Sequence, residues 1–246
     1  MTILQRIERI VERGRADGDD AAFLIDALGA ATKAEQRTAA EAIASLARTG
    51  FPVEPLLARA LADDGPRRRW GAVYAWSRMG PVPPECEPVL LDALGVDDGD
   101  LRWAAATIVR ELADRPAVHA ALRELLGSPN ALQRKMALYC LRDLGRRAPS
   151  LEREVVAALD DPDAAVRLAA MSALVQLADD RPAAARAVAL RLEDDAAGVR
   201  RSAAAALGRL GDAGDPVIDA LRRARDAGDA ALTRAAARAL AALGRS

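Results

Sequence analysis

The stretch Val166-Arg167-Leu168-Ala169-Ala170-Met171-Ser172-Ala173-Leu174-Val175-Gln176-Leu177 decides the fold. At 100° per residue, Val166, Ala170, Ala173, Leu174 and Leu177 fall on one side of a helix, and Leu168 and Ser172 fall opposite. The same grammar returns around Arg200 with Val199, Ala203, Ala206, Leu207 and Leu210. It returns around Arg134, Arg102 and Arg69, while the outermost copies carry Gln36 and Thr233 in the Arg position. The seven anchors are spaced 33, 33, 32, 33, 33 and 33 residues apart. Such a fixed period marks an array of identical structural units.

Working outward, a second apolar segment precedes each anchor. Leu28, Leu61, Leu94, Leu126, Leu159 and Leu192 stand eight residues before it, with Arg225 breaking the rule. Leu24, Leu57, Leu90, Leu122, Val155, Val188 and Leu221 stand twelve before it. The two columns are i and i+4 on one helix face. Asp63-Asp64-Gly65, Asp97-Asp98-Gly99, Ser128-Pro129-Asn130 and Asp160-Asp161-Pro162-Asp163 separate the segments, and their side chains suit capping of the second helix. Each unit is therefore a helical hairpin that buries its face only by stacking on its neighbours. Ile3, Leu4, Ile7, Ile10 and Val11 predict a further amphipathic helix over 2–13 that covers the first unit.

The unit resembles a HEAT repeat. The resemblance rests on Asp-x5-Arg, carried by Asp63 with Arg69, Asp161 with Arg167 and Asp194 with Arg200, and on the Ala-Leu-x-x-Leu that follows. Copies one, four and seven lack that Asp, and Asp97 is one place off. The resemblance implies an all-α, right-handed α-solenoid of seven HEAT-like hairpins, with an N-terminal cap helix in 1–17 and repeats over 18–246 as one continuous domain. It also implies that the Asp and Arg columns form a structural ladder between units.

Composition agrees with stacked helices. Apolar residues make up 51% of the 246, but aromatic residues only 3%, so Ala, Leu and Val must fill the core. Scarce residues exclude several chemistries. One histidine, His119, and two cysteines 54 positions apart, Cys86 and Cys140, build no expected metal or redox site. No nucleophile elbow or glycine-rich phosphate loop is present. The expectation is a cytoplasmic, non-enzymatic protein with no cofactor, no metal and no membrane span.

The side opposite the apolar stripe is centred on positions +1, +5 and +8 from each anchor. Those columns hold Trp70, Tyr74, Trp103 and Tyr139, four of only seven aromatic residues in the chain. Arg37, Arg110, Lys135, Arg142, Arg201, Arg234 and Arg238 oppose Glu41 alone, about +6 on a protein of −1. Trp76, at +7, is assigned to the core. The predicted ligand-binding residues are Trp70, Tyr74, Trp103, Arg110, Lys135, Tyr139 and Arg142, expected on one concave patch that takes a partner protein or an acidic peptide. The alternative is nucleic acid, with the rings stacking on bases. The resemblance extends that alternative to HEAT-like alkyl-purine DNA glycosylases, although this face has no central carboxylate.

Overall fold

The computed structural model describes residues 1–145 and 151–245. Among them there are fifteen α-helices and no strand. Helix α1 (Ile3–Arg13) is the predicted cap. Thr2 and Gln5 form a capping box at its start, and Gly14, at φ 64°, closes it in the left-handed conformation that favours glycine. Its buried Ile7 and Ile10 join the core of the first hairpin.

Seven hairpins follow: α2 (Gly18–Ala27) with α3 (Lys33–Arg48), α4 (Glu54–Leu61) with α5 (Pro66–Ser77), α6 (Glu87–Ala93) with α7 (Gly99–Glu111), and α8 (Pro116–Leu125) with α9 (Ala131–Leu144). Then come α10 (Glu152–Ala157) with α11 (Ala164–Leu177), α12 (Arg181–Ala189) with α13 (Ala197–Leu210), and α14 (Asp215–Arg225) with α15 (Ala230–Ala242). Proline opens α4, α5, α8, α12 and α14, where its missing N–H costs nothing. Asn130, Asp163 and Asp229 cap α9, α11 and α15 with side-chain oxygens. Asp63 and Asp161 differ from the expected capping role, each accepting the amide N–H of the residue two places on, Gly65 and Asp163, and Asp194 does likewise with Ala196. This folds the turn without reaching the helix.

The chain divides into two compact units. The N-terminal unit comprises Met1–Ala93 and Gly99–Leu112, and the C-terminal unit comprises Leu94–Asp98 and the residues from Ala113 onward. Within the N-terminal unit, α1 packs on α3, α3 on α5, and α2 on α4. Within the C-terminal unit, α9, α11, α13 and α15 pack in succession, and α12 packs on α14. In these pairs the same helix of one hairpin stacks on its counterpart in the next.

The predicted apolar stripe is the buried one: Val166, Ala170, Ala173 and Leu174 are in the core, as are Val199, Ala203, Ala206, Leu207 and Leu210. Trp76 departs from the core assignment, being half-buried and packed against the N-terminal core from its edge. The stretch 80–86 is more than a spacer, because Val82 and Cys86 are buried and Pro84–Cys86 forms a 3-10 turn into α6.

Candidate ligand-binding face

The second helix of each hairpin buries more than the one stripe. At +4, Ala40, Val73, Ala106, Leu138, Met171 and Ala204 are all buried. At +8, Ala44 and Val175 are buried. A Cβ added at Gly208, also +8, would lie 3.2 Å from Ala239 Cα on the neighbouring α15. These columns form the seam between successive second helices, so the +8 column does not face solvent as a whole. A helix stacked between two neighbours needs contact on its flanks as well as on its core side, and this narrows the open face to +1 and +5.

In the N-terminal unit that face carries the aromatic residues. Trp103 is 52% exposed, a large apolar side chain left in water. Trp70 and Tyr74, one turn apart on α5, hold their ring centroids 6.3 Å apart and tilted by 32°. Tyr74 also packs against the core, so it positions the pair. Thr107 donates its hydroxyl to the Trp103 carbonyl, and Arg110 reaches Thr107 at 3.4 Å. Arg78 neutralises Glu41 across α3 and α5 at 2.7 Å, which leaves Arg37 as the uncompensated charge on α3 at this face. Lys33, at the start of α3, bridges to Asp100, at the start of α7, at 3.0 Å.

In the C-terminal unit the predicted residues sit differently. Arg142 is stacked over the Tyr139 ring, 4.9 Å from its centroid, and is paired with Asp143 at 2.7 Å. It also donates to the Ser172 hydroxyl at 3.1 Å. This arginine is engaged by its own unit. Lys135 and Tyr139 are half-buried one turn apart on α9.

The strongest electrostatic structure of the C-terminal unit is the ladder. Arg134 donates Nε and Nη2 to the two oxygens of Asp161, at 2.7 and 2.8 Å, while its Nη1 donates to the carbonyls of Ser128 and Pro129. Arg167 repeats this on the carbonyls of Asp161 and Pro162 and on the carboxylates of Asp194 and Asp195. Arg200 repeats it on the carbonyls of Asp194 and Asp195 and on Asp229 at 3.4 Å. Each arginine closes its own turn and grips the next hairpin. Burial opposes ionisation of Asp161 and Asp194. Their arginine partners and the backbone amides nonetheless hold both carboxyls below the usual range.

Sequence reasoning missed two partners in these networks. Asp229 supplies the last rung although copy seven lacks an Asp six residues before its anchor. In copy two, Arg68 rather than Arg69 takes the acids, with Asp63 at 2.7 Å and Asp26 at 3.2 Å. Asp229 was legible as an N-cap, four residues before Thr233. The choice between Arg68 and Arg69 carried no sequence signal. His119 is half-buried with Nε2 2.7 Å from the Ala113 carbonyl.

Among the described residues, no three metal-ligating side chains gather, and no helix is long and apolar enough to cross a membrane. Cys86 and Cys140 are buried free thiols. No curated protein matches the sequence. Among solved structures, the chain is similar to an engineered protein from a structural-genomics programme, at 21% identity and TM-score 0.50, with 96% of this chain and 70% of that one covered. It is also similar to a chain in the complex of Kap95p with RanGDP, at 14% identity and TM-score 0.62, with 98% of this chain covered but only 37% of the other. At these identities the likeness is one of fold, an all-helical solenoid. The family described as HEAT repeats matches residues 21–109, 120–207 and 152–242, and the chain belongs to that family.

Proposed function

We propose that the protein is a cytoplasmic, non-enzymatic scaffold that holds a segment of a partner protein against the +1 and +5 faces of its second helices. Trp70, Tyr74, Trp103 and Arg110 are the contact residues of the N-terminal unit, and Lys135, Tyr139 and Arg142 those of the C-terminal unit. The exposure of Trp103 carries this reading: in a chain with seven aromatic residues, one Trp is spent on the open face. Arg37 is exposed at +1 of α3, in the same column as Trp70 and Trp103, so an acidic segment with an apolar anchor is the matching ligand. Repeat solenoids present such extended surfaces to peptides.

The test compares the full chain with Trp70→Ala/Trp103→Ala as baits in lysate of the source organism. Any captured protein is then purified and titrated against both baits. Loss of at least tenfold in affinity with the double variant is expected. A partner that binds both baits equally overturns the assignment of this face.

A further inference from the structure

On α13 and α15 three cations have no counterpart among the described side chains. Neither helix carries a single Asp or Glu. The acids at their starts are committed, Asp194 to Arg167 and Asp229 to Arg200. The neighbouring first helix settles its own charges, with Arg222 on Asp219 and Arg225 on Asp226. Arg201, at +1 of α13, and Arg234 and Arg238, at +1 and +5 of α15, are exposed. No described side chain pairs with any of the three. In a chain with 36 acidic and 35 basic residues, three arginines on two packed helices without an acid make a local excess of positive charge.

Their placement is fixed by the packing. Gly208 lets α13 approach α15 so closely that an added Cβ would meet Ala239 Cα at 3.2 Å. Arg201 and Arg234 occupy equivalent positions on these packed helices, about 8–10 Å apart across the seam. Arg234 and Arg238 are i and i+4, about 6 Å apart along α15. The exposed residues between them are Ala205, Ala237 and Ala241, too small to screen the guanidinium groups or to obstruct a chain lying across them.

We propose that Arg201, Arg234 and Arg238 form a carboxylate-binding surface that takes an acidic segment of a partner protein. It is separate from the aromatic face and does not depend on that assignment. Guanidinium groups are weakly hydrated forks that match carboxylates in bidentate geometry. Acids one helical turn apart, or alternate acids of an extended strand, meet the spacing of the three. Nucleic acid fits less well. No aromatic or amide side chain on α13 or α15 is available to stack on or read a base. Three cations on a chain of net charge −1 also fall short of the six to ten phosphate contacts typical of duplex binding.

The test is fluorescence anisotropy of the full-length protein with a labelled ten-residue polyglutamate peptide at 50 mM salt, beside a labelled ten-nucleotide oligothymidylate. The variants are R201E/R234E/R238E and its neutral counterpart R201Q/R234Q/R238Q, each checked by thermal melting. The parent should bind polyglutamate. The neutral variant should lose at least fivefold and the reversed variant at least twentyfold. Equal affinity of the parent and the neutral variant would overturn the proposal. So would tighter binding of oligothymidylate that the same substitutions abolish.

Discussion

The two units solve the same stacking problem with different side chains. The C-terminal unit runs a regular ladder through Arg134, Arg167 and Arg200, and its central pair is nearly dry: the side chains of Arg167 and Asp194 are 9% and 4% exposed. In the N-terminal unit the corresponding bridge uses Arg68 with Asp63 and Asp26, and Arg68 is 34% exposed. The N-terminal unit also carries the cap helix and the exposed aromatic face. Position +1 there holds Arg37, Trp70 and Trp103, whereas in the C-terminal unit it holds Lys135, Leu168, Arg201 and Arg234. A repeat fixes which columns must be buried and leaves the +1 and +5 columns free to vary. The two units fill them with different chemistry.

The comparison breaks most visibly at the ladder. Arg167→Ala leaves Asp194 buried without its partner and should cost about 3 kcal/mol, as breaking a buried pair does. Arg68→Ala removes a half-exposed pair and should cost about 1 kcal/mol or less. Urea denaturation of the two variants measures the difference, and equal losses would mean that the ladder is no more than surface charge.

Acid sharpens the same contrast. The Asp161 and Asp194 carboxyls are held below their ordinary value in the folded state. Their contribution is complete above the unfolded pKa of about 3.9 and is lost as pH falls through the lower folded value. The urea midpoint should therefore decline most as pH falls below about 4. Asp161→Asn/Asp194→Asn should start lower at pH 7 and decline less, and parallel slopes would count against the ladder. A smaller effect is expected at the caps: Asp163→Ala frees the amides of Ala165 and Val166 and should cost about 1 kcal/mol in the same assay.

The helical hairpins, their period and the cap helix were legible because burial imposes a periodic apolar column that survives substitution of every other position. The seam columns were harder to read. Position +8 holds Ala44, Arg110, Arg142 and Gly208, and so small a contact as Gly208 against Ala239 needs no apolar residue type to announce it. The ladder was half legible: its arginines lie on the period, but its acids shift along the turn, from six residues before the anchor to four at Asp229. Any carboxylate near the turn can reach a guanidinium that is already held by two carbonyls. Trp76 shows the limit of a helical wheel, since its angle placed it inward while its size kept one edge outside.

One melting comparison separates a binding face from a seam filler. Trp70→Ala/Trp103→Ala and Trp76→Ala are melted side by side, followed by circular dichroism at 222 nm. Trp103 is mostly in water, and Trp70 packs chiefly on Tyr74, so the double variant should melt within about 3 °C of the parent. Trp76→Ala strips a ring from the N-terminal core and should cost about 2 kcal/mol, lowering the midpoint by about 4–8 °C. If the double variant falls as far as Trp76→Ala, the rings belong to the packing and the aromatic face is not a binding surface.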